Sequence, residues 1–296
     1  MKLAIHYPNF SYPGGNTAVA PLLAATARAA DEGGATTFTL MDHWFQMEAM
    51  APATEPMLEG YTGLGFLAGI TRKVRLGLLV TGVTYRHPGL LAKTVATLDV
   101  LSGGRAMFGI GAAWYEREHH ALGVPYPPTA ERFERLEETL QITAQMFSDN
   151  DGPYQGKHYH LAETICEPKP IQRPNAGRRT GPPVMIGGSG EKKTLKFVAK
   201  YGDACNLFAP DVETVAHKID VLTRHCADEG RDVNEIEKTI ITSLDPLGDT
   251  DAFLRAMEAY AKVGVEQVWL SPSNTDDPSA WTSQVTERVL PRLRDI

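Results

Sequence analysis

A histidine lies between two other chemically useful side chains in the segment Asp42-His43-Trp44. An imidazole exchanges a proton near neutral pH, and the adjacent carboxylate of Asp42 can fix its tautomer or orientation. Trp44 offers a flat apolar surface suited to a ring system. A hydrogen-bonded histidine with a structural role is the alternative. The segment therefore favours acid–base catalysis by His43 and Asp42 beside an aromatic ligand.

A glycine-rich segment offers a second kind of chemistry. A β-type run leads into Gly187, Gly188 and Ser189, and a helical pattern follows from Glu191. Such a turn exposes unpaired N–H groups at a helix N-terminus, which is a site for a phosphate or another anion. No GxxxxGK[ST] spacing accompanies it. Asn206, in the next β-type run, can add a side-chain donor to the same anion.

Two further β-type runs end in residues that suit contact with a flat cofactor. A glycine among β-branched residues indicates a bulge, a close approach to a ligand, or strain. Small residues let backbone amides approach a ring, although tight packing also explains glycines in a strand. The candidate contacts in these runs are Thr81, Gly82, Val83, Gly111, Ala112 and Trp114.

Short β-type runs alternate with helical periodicity along the whole chain. The predicted strands are residues 3–8, 36–42, 74–83, 105–112, 183–188, 204–208, 238–245 and 267–272. The predicted helices are residues 18–32, 61–71, 90–101, 130–147, 191–201, 212–228, 250–263 and 279–294. Eight such units predict an α/β fold, a single (β/α)8 TIM barrel over residues 1–296, whose site lies at the C-terminal ends of the strands.

A doubly wound sheet is the alternative fold. Against it, the glycine-rich segments follow the fourth and fifth strands, and no GxGxxG motif opens the first helix. Residues 148–182 lack periodicity and are rich in Pro and Gly, which predicts an insertion before strand 5 that packs over an opening.

The net charge of −7 argues against nucleic-acid binding. Basic residues nevertheless cluster between residues 169 and 200, where Glu191 is the single acidic residue, and this local charge can attract an anionic ligand. The cluster comprises Lys169, Arg173, Arg178, Arg179, Lys192, Lys193, Lys196 and Lys200. For Lys192, Lys196 and Lys200, the solvated face of a helix is the alternative interpretation.

Several classes of protein are not expected. The 3 cysteines have no CxxC spacing, which favours reduced thiols in a cytoplasmic protein. The sequence has no signal-peptide pattern and no run of ~18 apolar residues, so neither export nor a membrane partner is expected. Without HExxH or a similar cluster, no metal site is predicted.

Five segments together resemble the luciferase-like monooxygenase family. They are residues 42–44, 81–88, 98–105, 109–118 and 187–191, in the family's order. The resemblance is greatest to the branch that uses the deazaflavin coenzyme F420, which includes a glucose-6-phosphate dehydrogenase, a secondary-alcohol dehydrogenase and a methylene-tetrahydromethanopterin reductase.

The resemblance implies a cofactor ring across the barrel mouth and its phosphate on Gly187, Gly188 and Ser189. It also implies a non-prolyl cis peptide in the third strand, expected at Gly82-Val83. His43 matches the histidine that acts as base in the sugar-phosphate dehydrogenases. Trp114 stands where their acidic partner is expected, which argues against glucose 6-phosphate as substrate.

The expected activity is therefore F420-dependent hydride transfer to or from a small organic substrate. The alternatives are an FMN-dependent monooxygenase, which activates oxygen, and a non-catalytic flavin-binding protein. A homodimer is compatible with either enzyme. The basic cluster predicts tighter binding of F420 than of FMN, because the tail of F420 carries more anionic groups.

Overall fold

A computed structural model describes residues 1–172, 180–272 and 275–296. The strands are β1 (Lys2–Tyr7), β2 (Thr37–Leu40), β3 (Arg75–Leu78), β4 (Thr81–Gly82), β5 (Phe108–Gly111), β6 (Tyr154–Gln155), β7 (His160–Leu161), β8 (Val184–Gly187), β9 (Ala204–Phe208), β10 (Glu237–Ile241) and β11 (Gln267–Leu270). The helices are α1 (Asn16–Gly33), α2 (Gly60–Ile70), α3 (Pro88–Leu101), α4 (Glu116–Leu122), α5 (Thr129–Met146), α6 (Thr194–Tyr201), α7 (Val212–Asp228), α8 (Thr250–Lys262), α9 (Pro278–Arg288) and α10 (Leu290–Leu293).

The central sheet is parallel and closes on itself. Its strand order is β3-β2-β1-β11-β10-β9-β8-β5-β4, and a parallel bridge between Leu76 and Ala106 joins β3 to the segment before β5. β3 and β4 are two parts of one strand, so eight strands surround the axis. The predicted (β/α)8 barrel is confirmed.

Side chains fill the barrel interior. Ala4, Met107, Met185 and Trp269 are buried and pack together as one cluster, and the Trp269 indole donates to the Thr239 hydroxyl over 3.0 Å. Alternate residues of the same strands face outward and pack on the helices. Because the interior is packed, a ligand site must lie at a barrel end.

Three local features differ from the sequence-based expectation. The seven-residue helix α4 was not predicted. Helix α6 begins at Thr194, and a turn occupies residues 191–193, where a helix was expected. Residues 154–161 of the insertion form an antiparallel hairpin of β6 and β7.

The insertion packs along the outside of the barrel in its described part. Glu138 of α5 accepts backbone N–H groups from Lys157 and Tyr159. Asp99 of α3 accepts those of Ile171 and Gln172. The described part of the segment therefore lies against α3 and α5. Residues 173–179 lie outside the described residues, so the expectation that the insertion covers an opening stays a prediction.

No helix in the described ranges combines the length and apolarity needed to cross a bilayer. Cys166, Cys205 and Cys226 are free thiols, and all three are buried.

Candidate active site

The segments after β2, β4 and β5 bring one group of predicted residues together. The His43 and Trp114 rings meet edge to face, with centroids 5.5 Å apart. A second group forms after β8 and β9, where Gly188 N–H donates to the Asn206 carbonyl over 3.2 Å. Ser189 Oγ in turn accepts the N–H of Phe208 over 3.4 Å. Both groups lie at the C-terminal ends of the strands, as predicted.

The carboxylate that holds His43 comes from Glu118 in α4. His43 Nδ1 lies 2.8 Å from Glu118 Oε1, and Oε2 accepts the backbone N–H groups of Trp44 and Phe45 over 2.7 and 3.1 Å. An ionised carboxylate only accepts, so Nδ1 carries the proton. Nε2 then has no hydrogen bond to any residue of the described ranges and is free to exchange a proton with a ligand.

Glu118 is completely buried and yet holds a negative charge. Burial raises the pKa of this carboxyl, but hydrogen bonds from His43 and Tyr85 outweigh burial, and the net pKa lies below its usual value. An ionised carboxylate at Nδ1 stabilises a protonated imidazole. The pair can therefore support His43 as base or as acid.

Tyr85 completes the arrangement around Glu118. Its hydroxyl donates to Glu118 Oε1 and lies 3.1 Å from His43 Nδ1. A Cβ at Gly82 would overlap the Tyr85 ring. The glycine that was predicted to touch a cofactor thus makes room for the tyrosine that supports the histidine partner.

Asp42 does not orient His43, contrary to expectation. Its two oxygens accept from the two terminal nitrogens of Arg86 over 2.6 and 2.9 Å, and Arg86 also bonds Glu59 at the start of α2. Successive side chains at a strand end point to opposite sides, so Asp42 faces outward from the histidine. Asp42 is therefore part of a charged network between loops.

The non-prolyl cis peptide is Leu79-Val80, so its prediction at Gly82-Val83 was wrong. The ladder with β5 continues regularly through Gly82, and Val83 N–H donates to the Gly111 carbonyl over 2.9 Å. The ladder is instead interrupted between β3 and β4.

Glycines on the neighbouring strands accommodate this interruption. A Cβ at Gly109 would overlap the Leu78 carbonyl oxygen, and a Cβ at Gly111 or Gly187 would lie 3.1 or 2.9 Å from Val80 side-chain carbons. The space beside these glycines is thus occupied by protein atoms. The half-buried Val80 side chain, rather than bare glycine backbone, covers this part of the barrel.

Aromatic rings surround His43. Trp114 is 59% exposed and stacks on Tyr115, with ring centroids 5.1 Å apart and planes 20° apart. Trp44 packs on Tyr85 with centroids 4.4 Å apart. Ala113 has φ 60, a left-handed conformation that is uncommon for alanine and directly precedes Trp114. The exposed face of Trp114 is open to a ligand, and its contact with a flat cofactor stays a prediction.

A second imidazole, absent from the sequence-based site, is His6 on β1. It is 5% exposed, and its Nδ1 lies 3.0 Å from Thr39 Oγ1. Burial lowers the pKa of His6 to about 3, with a smaller contribution from His43. His6 is therefore a neutral group inside the barrel, near the C-terminal end of β1.

The glycine-rich segment offers unpaired donors. Gly188 has φ 114, which favours glycine. Within the described ranges, the N–H groups of Ser189 and Gly190 donate to no acceptor, and the Asn206 amide oxygen accepts from Thr239 over 3.0 Å, leaving its NH2 group as a donor. These donors fit a phosphate, and they would hold that part of a flavin or deazaflavin.

Only some of the described residues in the basic cluster lack an ion-pair partner. Lys169 pairs with Asp151, and Lys200 with Glu137. Lys192, Lys193 and Lys196 are exposed, and none of these three forms an ion pair with a described residue. Arg173, Arg178 and Arg179 lie outside the described residues.

The opposite end of the barrel has a cavity of about 270 Å³ lined by polar residues that include Lys2, Arg75 and Glu237. Lys2 pairs with Glu237 over 2.6 Å. Catalytic groups of this fold lie at the other end, so the cavity is not the candidate site. Across the described chain, no three His, Cys, Asp or Glu side chains are grouped to hold a metal ion.

A family model described as luciferase-like monooxygenase matches residues 1–287. An uncharacterized protein of Mycobacterium tuberculosis is 26% identical over 281 residues, which cover 90% of this chain and 93% of that protein. An F420-dependent glucose-6-phosphate dehydrogenase of Kineococcus radiotolerans is 31% identical over 185 residues, covering 61% of this chain and 50% of the enzyme.

An FMNH(2)-dependent dimethylsulfone monooxygenase of Pseudomonas putida is 26% identical over 181 residues, covering 61% of this chain and 47% of that enzyme. Among solved structures, the coenzyme F420 dependent tetrahydromethanopterin reductase of Methanopyrus kandleri has a TM-score of 0.79 and 18% identity, and 99% of both chains is covered. At this identity the likeness shows the fold alone.

Proposed function

Because this chain belongs to the luciferase-like monooxygenase family, whose members are F420- or FMN-dependent oxidoreductases, we propose that it transfers a hydride between F420 and a small organic substrate. The observation that carries the proposal is the 2.8 Å contact between His43 and the buried Glu118. Hydride transfer at an alcohol or carbonyl carbon moves a proton as well, and this pair is built to hold one.

The chain's own residues divide the work. The N–H groups of Ser189 and Gly190, the Ser189 hydroxyl and the Asn206 amide hold the phosphate of the cofactor. F420 held by these donors would supply a ring able to accept or donate a hydride. His43 Nε2 takes the proton of a substrate hydroxyl when the substrate is oxidised and returns it to the oxygen when the substrate is reduced. Glu118 stabilises the protonated imidazole.

The preference for F420 rests on charge. Lys192, Lys193 and Lys196 are exposed beside the phosphate site, and F420 has a longer, more anionic tail than FMN. An FMN-dependent monooxygenase remains the second candidate, because the donors around Ser189 suit the single phosphate of FMN equally well. The two differ in chemistry, since a deazaflavin lacks the ring nitrogen used to activate oxygen.

Titration of the purified protein with F420 and with FMN tests the choice of cofactor. We expect tighter binding of F420 at low ionic strength and a smaller difference as salt is added, because salt screens exposed charges. Equal affinities at low salt, or tighter binding of FMN, would contradict the proposal. Lys196→Gln should weaken the binding of F420 more than the binding of FMN, and so reduce the F420 preference.

We also infer a cytoplasmic homodimer. The outer faces of α2 and α3 expose Phe66, Leu90 and Leu101 at 44%, 69% and 65%, and apolar helix faces of this kind are typically covered in an assembly. Sedimentation analysis of wild type and Leu101→Glu checks this inference. A monomeric wild type, or an unchanged mass in the variant, would oppose an interface there.

A further inference from the structure

The mouth of the barrel has very few cations that are free to bind a ligand. In the described residues that follow the eight barrel strands, including α4, the lysines and arginines are Arg86, Arg117, Lys192 and Lys193. Lys192 and Lys193 follow β8, on the side of the phosphate donors. The side that carries His43 has Arg86 and Arg117, and Arg132 of α5 reaches it as a buried cation. The Arg132 guanidinium donates to the Ala112 and Pro127 carbonyls over 3.0 and 2.7 Å, so these donors are not free for a ligand.

Arg86 is already bound on both sides. It forms a bidentate pair with Asp42 and a second pair with Glu59, its side chain is 17% exposed, and its guanidinium lies 4.8 Å from the Tyr61 ring centroid. Hydrogen bonds to these carboxylates raise the pKa of Arg86 against the effect of burial. An arriving anion would have to displace two carboxylates from it.

Arg117 is also paired. It bonds Glu48, which in addition accepts from the Tyr115 hydroxyl over 3.1 Å. Both members of the Arg117–Glu48 pair are about half exposed, at 55% and 53%. The formal charge in direct contact with His43 is that of the buried Glu118 carboxylate, and its negative sign disfavours an anionic substrate at the imidazole.

Two large aromatic side chains are exposed at the mouth of the barrel. Trp114 and Phe208 are 59% and 67% exposed, although large aromatic side chains are usually buried. Trp114 lies against the His43 ring. Phe208 is the last residue of β9, on the same side of the mouth as the phosphate donors. Exposed rings at a strand end provide a surface on which a flat apolar molecule can stack.

We propose that the substrate is an uncharged alcohol or carbonyl compound with a flat apolar body, rather than a phosphate ester or a carboxylate. The inference rests on the proposed hydride transfer. In the reducing direction, hydride from reduced F420 forms the new C–H bond at the carbonyl carbon while the C=O π electrons move to oxygen. That oxygen takes the proton from His43 Nε2, giving an alcohol and oxidised F420.

A matched pair of acceptors tests the substrate class. Reduced F420 oxidation is followed anaerobically with cyclohexenone and with its ring-carboxylated derivative. We expect kcat/KM for the neutral ketone to exceed that of the anion by roughly fivefold or more, with the gap narrowing as salt rises. Ligand-observed NMR on the protein without cofactor gives a readout independent of turnover, and the neutral ketone should bind more tightly.

The outcomes separate the two proposals. Equal or better use and binding of the anion would overturn the inference and leave hydride transfer intact. No oxidation of bound reduced F420 by either ketone would overturn the proposed function and the substrate class with it.

Trp114→Ala tests the aromatic surface. The variant should raise KM for cyclohexenone several-fold with little change in kcat, because one aromatic contact contributes about 0.5–1.5 kcal/mol beyond its buried area. Ile165→Ala, which truncates another exposed apolar side chain (56% exposed) in the insertion, is the matched control and should change neither constant. An unchanged KM in Trp114→Ala would remove Trp114 from the substrate surface.

Discussion

The two sides of the barrel mouth differ in how completely their polar groups are partnered. On the side of β2 and β5, Glu118 is fully buried and accepts from His43, Tyr85 and two backbone N–H groups. On the side of β8 and β9, the N–H groups of Ser189 and Gly190 have no acceptor among the described residues. The polar groups on the side of β2 and β5 bond one another, whereas the N–H donors on the side of β8 and β9 are available to a ligand.

This difference assigns a separate task to each side. The His43 side orients an imidazole, and the glycine side binds an anion. A partnered network fixes one imidazole geometry before any ligand arrives, which is what proton transfer requires. Unpartnered donors contribute once an anion is present. Changes within the His43–Glu118 network should therefore act on the rate, whereas changes on the glycine side should act on cofactor affinity.

Replacement of His43 should give the largest effect. His43→Asn is expected to lower the rate at saturating cofactor by about 10²–10⁴-fold, because a positioned acid or base contributes that much, while the F420 dissociation constant stays nearly unchanged. Asp42→Asn is the matched comparison. It should lower the melting temperature more than the rate, because Asp42 bonds Arg86. A weakened cofactor affinity with an intact rate in His43→Asn would make His43 a cofactor ligand instead.

Glu118 should act on the rate through His43. Glu118→Gln keeps the shape but loses the charge that stabilises the imidazolium, so we expect a loss of rate of roughly 10–100-fold and a changed pH–rate profile. Glu116→Gln, on the exposed side of the same helix, serves as control. A rate loss with an unaltered pH profile would assign Glu118 a structural role only.

The same carboxylate should make stability depend on acid pH. Hydrogen bonds from His43 and Tyr85 outweigh burial and keep the pKa of Glu118 in the folded protein below its usual value of 4.5. Its contribution to stability is thus fully present above pH 4.5 and is lost as the pH falls through the lower folded pKa. Thermal unfolding measured from neutral to acid pH should show a shallower decline in Glu118→Gln than in wild type. Parallel curves would contradict this assignment.

The glycine side should give the smallest effect. Ser189→Ala removes one hydroxyl donor, so cofactor affinity should fall by roughly 2–10-fold, as expected for one hydrogen bond, with the saturated rate unchanged. Thr180→Ala, which removes a hydroxyl in the insertion, is a control. A fall in the saturated rate of Ser189→Ala would break the distinction between the two sides.

The barrel and the location of its site were predictable from the sequence. Each of the eight strands is a short β-type run, and period-two and helical patterns record which faces are buried. His43 and Ser189 were found because loops after the strands of a barrel meet at one end. Helix α4 escaped prediction because seven residues give too little periodicity.

The carboxylate that pairs with His43 could not be predicted by taking the neighbouring residue in the sequence. Glu118 is 75 residues away in the chain, whereas Asp42 is adjacent but points to the other side. The position of the interrupted ladder was missed for a similar reason. The glycines that mark it, Gly109 and Gly187, lie on neighbouring strands. Both features depend on which strands are neighbours in the barrel, and the order of residues in the chain does not show this.

The most direct test of the account is a single-turnover experiment under anaerobic conditions. Reduced F420 bound to the wild-type protein is mixed with cyclohexenone, and the absorbance of oxidised F420 is followed. We predict that each equivalent of ketone oxidises one equivalent of reduced F420, and that His43→Asn slows this step by about 10²-fold or more. No oxidation without oxygen, together with oxygenation of a substrate by reduced FMN in air, would contradict the account.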